Sequence, residues 1–323
     1  MTPLVPRPPL GGFAAIAAAC GVIGAVTIGA TLVVQRGAAT EAAAVPAAAT
    51  EDYGRRLLTE TTDLMGPDHA DPDRRYTGNR LQCASCHLDA GTEPGTLSLL
   101  EAFGKYPRFS GRDGVESDIK ARINGCMTRS MNGRMLPEDS AEMIAMAAYV
   151  RALGEEYQAM GETRRAVDEP AAFTMPDRAA DPSAGKVVYD TRCAICHGAD
   201  GHGLPATSDL IDGYVFPPLW GPDSFNDGAG MHRVLTAARF IKARMPLGQP
   251  DLTDDQAFDV AAYINVQPRP QMANLEQDYP DRTTKPVDSP YGPYADPFPI
   301  EQHKLGPFKP IEEWYKQAAA SPR

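Results

Sequence analysis

The sequence predicts an all-α protein: two tandem small helical domains followed by an extended tail rich in Pro and Tyr. Three observations point there. A Cys-X-X-Cys-His string occurs twice, as Cys83-Ala-Ser-Cys86-His87 and Cys193-Ala-Ile-Cys196-His197, 110 residues apart. Each string opens a stretch the size of a small helical domain and is flanked by helical patterns. No convincing period-2 run marks a strand.

The elements follow in order. Residues 1–50 read as an N-terminal segment and an Ala-rich tether, and Glu51–Met65 reads as a helix leading into the first string. Leu97–Tyr106 is a short helical candidate. Ser117–Arg129 is another, with Ile119, Ile123 and Met127 at i, i+4 and i+8. Pro137-Glu-Asp-Ser140 opens a helix running to about Glu156, with Met143, Ala147 and Val150 as its apolar stripe. Residues 51–160 thus form a first domain, and 161–182, polar with Pro170 and Pro176, a linker. In the second domain, 183–270, a short helix over Ser183–Thr191 precedes the second string. Thr253-Asp-Asp-Gln256 is a capping box for a helix that ends before Pro268. Both halves read helix, Cys-His string, loops, terminal helix, which is the order of the small cytochrome c fold. Residues 271–323 are too aromatic for a disordered linker and are expected to wrap over both domains in extended form.

Cys-X-X-Cys-His is the attachment site of c-type haem. The two cysteines supply thioethers, and the adjacent His supplies a proximal ligand to iron. Two strings imply two covalently bound haem c groups, on Cys83, Cys86 and His87 and on Cys193, Cys196 and His197. A thioredoxin-like reading of the Cys pairs lacks the surrounding βαβ pattern. Of the six cysteines, Cys20 lies in an apolar N-terminal run and Cys126 alone is left over, so no disulfide framework remains.

Haem attachment of this type takes place outside the bacterial cytoplasmic membrane, so a periplasmic location follows. Gly11–Val34 is an uncharged run of 24 residues between Arg7 and Arg36. That is long enough to span a bilayer, which needs about 20 apolar residues. An uncleaved anchor is favoured over a removed signal ending near Ala44-Val-Pro-Ala47. The formal charge of −11 excludes general affinity for nucleic acid.

A c-type haem with one His has an open axial position, filled by Met, His, Cys or Lys or left for chemistry. In the second domain Met245, in Arg244-Met245-Pro246, is the candidate, with Lys242 its rival. In the first domain, the same spacing of 48 residues past the His leads to Met135. Cys126 competes with it. Arg122, Cys126 and Ser130 stand at i, i+4 and i+8 of a predicted helix, with Arg129 beside them. Cations near a thiol favour thiolate, the form that binds metals and attacks electrophiles. Spacing alone leaves Met135 and Cys126 open.

Several strings outside the haem motifs resemble the thiosulfate dehydrogenase family of dihaem cytochromes. They are Cys126-Met-Thr-Arg-Ser-Met-Asn-Gly133, Phe240-Ile-Lys-Ala-Arg-Met-Pro-Leu-Gly248, Ala262-Tyr-Ile-Asn-Val-Gln-Pro-Arg-Pro270, and the tail strings Lys285–Tyr294 and Glu301–Phe308. The resemblance covers about residues 53–315. It implies coupling of two thiosulfates to tetrathionate with release of two electrons, reversible in some members. It implies a catalytic haem ligated by His87 and Cys126, an anion site of Arg112, Arg122 and Ser130, and a second haem ligated by His197 and Met245. The family's adjacent Lys is replaced here by Arg244, which disfavours ligand exchange. A soluble acceptor such as a small cytochrome c or a high-potential iron–sulfur protein would take the electrons. The rival readings are a non-catalytic dihaem electron carrier, which leaves Cys126 and its arginines unexplained, and a peroxidase using His202 or His232.

Overall fold

The computed structural model describes residues 47–95, 97–161 and 172–320, so Gly11–Val34 and Cys20 lie outside the described residues. Among the described residues, no helix is long and apolar enough to cross a membrane. The chain from Val45 onward is one compact unit.

In the first half, α1 (Ala47–Thr59) and α2 (Thr61–Met65) lead to the first Cys-His string, whose cysteines begin a 3-10 turn at Cys83–Ser85. A small antiparallel ribbon follows, β1 (Arg108–Ser110) with β2 (Val115–Ser117). Then come α3 (Ile119–Arg129) and α4 (Ala141–Ala159). Asp118 caps α3 by accepting from Ala121 N, and Ser140 caps α4 by accepting from Met143 N, so both starts are written locally. The second half repeats the plan. α5 (Pro182–Val188) runs through a π turn into the second string, which forms α6 (Ala194–His197). A ribbon of β3 (Leu204–Pro205) and β4 (Tyr214–Phe216) precedes α7 (Val234–Arg244) and α8 (Asp254–Asn265). The capping box at Thr253 and Gln256 is present as expected.

Each half is closed by a crossing of its first and last helices, and each crossing turns on a glycine. A Cβ on Gly54 would stand 2.1 Å from Ala145 O and 2.7 Å from Tyr149 Cβ. A Cβ on Gly185 would stand 2.0 Å from Asp259 O and 2.9 Å from Tyr263 Cβ. The two carbonyls precede the two tyrosines by one turn each, so the crossings are equivalent. Leu57, Met65, Met127 and Met143 fill the first core; Tyr189, Leu252 and Phe258 fill the second. Phe225 and Ala229, from the loop before α7, are buried in the first core, so the second half reaches into the first.

Four features differ from the sequence expectations. Leu97–Tyr106 forms only a 3-10 turn at Phe103–Lys105. Leu97 has a positive φ of 63°, and its carbonyl is used by a His87 hydrogen bond rather than by a helix. α7 was not anticipated, because Arg233 offers no side-chain cap. Its cap comes from the tail, where Asp288 accepts from Leu235 N at 3.0 Å across 53 residues. The two short ribbons had no alternating pattern long enough to read. Finally, the tail is not extended throughout. It ends in α9 (Ile300–Leu305) and α10 (Lys309–Ala320), and Phe308 between them and Ile311 on α10 are buried in the second core. Burying each is worth about 1.5–3 kcal/mol.

Candidate active site

Both Cys-His strings present their histidines ready for a metal. The Nδ1 of His87 donates to Leu97 O at 2.6 Å, and the Nδ1 of His197 donates to Pro217 O at 2.8 Å. A carbonyl can only accept, so each ring carries its proton on Nδ1 and keeps the Nε2 lone pair for iron. Burial depresses the basicity of His197, with the Pro217 bond opposing it, which favours the neutral ligand form. In the second half, Arg244 donates to Glu93 Oε1 at 2.5 Å, yet its Nε and Nη2 are buried without a partner. Arg269 Nε is likewise buried and unpaired. Buried guanidinium nitrogens of this kind are costly unless they meet an acceptor, and haem carboxylates are acceptors of the right charge. The residues therefore fit two c-type haems.

Cys126 stands apart from these strings. It lies in the last turn of α3, half-buried, with Arg122 one turn before it and Ser130 one turn after it at the helix end. Arg122 Nη1 donates to Cys126 Sγ at 3.0 Å. Burial raises the thiol pKa, but Arg122, His87 and Arg112 together pull it from 9.0 to about 7. His87 thus lies near enough to Cys126 to act on its thiol. Arg112 arrives from the tip of the β1–β2 ribbon, its side chain 22% exposed. The structure brings Cys126, His87, Arg122 and Arg112 together. Met135, the candidate by counting, is 61% exposed.

Sequence reasoning placed Arg129 beside the cysteine, but its guanidinium turns elsewhere. Arg129 is buried, and donates to Asp278 Oδ1 at 2.7 Å and to Gly228 O at 3.3 Å. Neither partner carried a sequence signal, since Asp278 lies 149 residues away and Gly228 acts through its backbone.

In the second half, Met245 ends α7 and packs, with Cys193, against the same core. Lys242 is engaged elsewhere, its Nζ donating to Leu252 O at 2.7 Å. The peroxidase candidates are tied down or peripheral. His232 sets Nδ1 against Asp227 O at 2.8 Å and Nε2 against Asn265 O at 3.1 Å, and its pKa falls to about 4 through burial and Arg269. His202 is mostly exposed, 3.5 Å from Asp200.

Comparison with known proteins gives two tandem cytochrome c domains. Residues 74–158 match the SoxA/TsdA cytochrome c domain, and residues 180–264 match subunit III of cbb3-type cytochrome c oxidase, a further cytochrome family. A thiosulfate dehydrogenase of Allochromatium vinosum is 40% identical over 222 residues, covering 67% of this chain and 77% of its own length. One from Psychrobacter arcticus is 41% identical over 207 residues, 63% of this chain and 61% of its own. Among solved structures, the thiosulfate dehydrogenase TsdBA of Marichromatium purpuratum, in its as-isolated form, superposes with a TM-score of 0.61 at 35% identity. That match covers 71% of this chain, which spans 48% of the TsdBA chain. With two haem-attachment strings on two cytochrome c domains and these relatives, the chain belongs to the thiosulfate dehydrogenase family.

Proposed function

We propose that the protein oxidises thiosulfate to tetrathionate in the first domain and exports the electrons through the second. The supporting observation is Cys126, held between the proximal His87 and two guanidiniums. Thiosulfate is a small dianion, and a chain of net charge −11 repels it unless a local cationic pocket exists. Arg112 and Arg122 supply that pocket, their forked N–H groups matching sulfonate oxygens, and the Ser130 hydroxyl adds a donor.

Arg122 at 3.0 Å holds Cys126 as a thiolate, leaving its sulfur nucleophilic. The sulfane sulfur of the first thiosulfate bonds to Cys126 Sγ, giving a cysteine S-thiosulfonate as two electrons leave. A second thiosulfate attacks that sulfane sulfur. The Cys126 bond breaks, the bonding pair returns to the thiolate, and tetrathionate departs with no net proton change. When bound, the two haems store the two electrons, one each. A haem in the first domain would be held by Cys83, Cys86, His87 and, until it loosens to react, Cys126, and one in the second by Cys193, Cys196, His197 and Met245.

A non-catalytic electron carrier remains the alternative, and one assay separates the two. Thiosulfate is supplied to the holoprotein with ferricyanide as oxidant and tetrathionate is measured. Formation of tetrathionate, lost in Cys126→Ala, supports the enzyme; its absence from the unaltered protein leaves the carrier. A soluble small cytochrome c or high-potential iron–sulfur protein is the proposed acceptor, and the periplasm the proposed location. Gly11–Val34 is read as an N-terminal membrane tether, which sequencing of the mature N-terminus tests.

A further inference from the structure

Arg112 is the only member of the cysteine cluster that does not stand on a Cys-His string or on α3. It rides on a ribbon tip, where an unsupported guanidinium would sample many rotamers and bind an anion weakly. The tip is instead gripped from outside the first domain. Tyr279 N donates to Arg112 O at 2.7 Å, and Arg112 Nε donates to Tyr279 Oη at 3.4 Å. The guanidinium carbon lies 5.7 Å from the Tyr279 ring centre, within cation–π range. Arg112 Nη1 donates to Gly228 O at 3.3 Å, the carbonyl that also receives Arg129. Thr284 Oγ1 donates to Gly111 O at 3.3 Å, and Pro280 lies against Gly114. Asp278 joins the arrangement through Arg129 at 2.7 Å and Tyr291 Oη at 2.7 Å.

Two details indicate that this corner is built for position. Tyr279 has a φ of 59°, a region that costs a bulky residue energy and is held only when the surroundings over-determine it. At Gly228 a Cβ would meet Arg129 Nη1 at 2.7 Å and Met272 Sδ at 2.8 Å, so a larger residue there would displace the ends of the side chains packed around the shared carbonyl.

We infer that Tyr279 of the C-terminal tail and the Gly228 carbonyl of the second domain are positioning elements for Arg112, so that the anion site of the first domain is completed by the other two parts of the chain. The inference rests on the proposed thiosulfate activity and deepens it. The substrate class is unchanged; what is added is that the tail sets its affinity through one arginine.

The test is steady-state kinetics of the holoprotein with thiosulfate and ferricyanide. Tyr279→Phe, which removes one neutral hydrogen bond, is expected to raise KM about 3-fold. Tyr279→Leu, which also removes the ring face, is expected to raise KM about 10-fold, with kcat and the haem spectrum held. In an Arg112→Ala background, Tyr279→Leu should add nothing, because its effect passes through Arg112. An unchanged KM in Tyr279→Leu, or an equal KM increase with and without Arg112, overturns the positioning role. No turnover in the unaltered protein overturns the functional reading as well, so the two failures are told apart. Gly228→Ala is the second probe: a raised KM with an intact haem spectrum agrees, and a KM equal to that of the unaltered protein removes Gly228 from the assignment.

Discussion

The two domains share one scaffold and differ in what stands opposite the proximal histidine. Gly54 and Gly185 allow the same helix crossing, and His87 and His197 are fixed by the same Nδ1-to-carbonyl bond. Beyond that the halves diverge. The first sets Cys126 among Arg122, Arg112 and His87. The second sets Met245 at the end of α7 against an apolar core, while nearby cations are bound to partners: Lys242 to Leu252 O and Arg244 to Glu93. A fold that holds a redox group is therefore neutral about its use. Two guanidiniums facing one thiol suit one copy to the proposed substrate chemistry, and an apolar thioether suits the other to the proposed passing of electrons.

The sharpest way to break the comparison is to remove the cysteine. Cys126→Ala should lower tetrathionate formation by roughly 10³-fold while the second haem keeps its optical and paramagnetic signature. Persistence of turnover with an unchanged first-haem signature would make the halves functionally alike. The next effect tests what they share. Gly54→Ala and Gly185→Ala each force a Cβ into a carbonyl, and each should cost about 3 kcal/mol, read as a lower thermal midpoint. If only one crossing responds, the scaffolds are not equivalent.

Smaller effects sharpen the electrostatic difference. Arg122→Ala removes a charge-assisted contact and should raise KM for thiosulfate about 30-fold, corresponding to about 2 kcal/mol. Arg233→Ala, in the second domain, should leave KM unchanged even if the protein is less stable. Last comes the acid limb. The pKa of His232 is lowered from 6.5 to about 4, so the folded state disfavours its proton. Between those values the unfolded chain binds more protons than the folded one, and stability is lost as pH falls below 6.5. The loss should be about 1–2 kcal/mol by pH 5.5 and should disappear in His232→Gln, as measured by denaturant titration at several pH values.

How much was legible beforehand varies by residue. The Cys-His strings, the helix starts at Ser140 and Thr253, and the pairing of Arg122 with Cys126 at i and i+4 all lie within a few residues of chain. Arg129 shared that local neighbourhood and misled, because a flexible guanidinium goes where a buried carboxylate waits, here Asp278. α7 was missed for a related reason. Its cap is Asp288, supplied from the tail.

By itself, the sequence determined the cofactor chemistry, the helical class, the repeated plan and the cysteine with its helical neighbours. Covalent attachment motifs, capping and helical periodicity act over at most about three turns. The family resemblance already implied Arg112 in the anion site, but only tertiary structure decided that it comes from a ribbon tip, that Met135 stays in solvent, and that Gly228 and Tyr279 close on Arg112. Those contacts span 116 and 167 residues, and Gly228 contributes only a carbonyl, common to every residue. Which distant groups meet is fixed by burial and helix packing, so the asymmetry between the two domains becomes complete only in the folded chain.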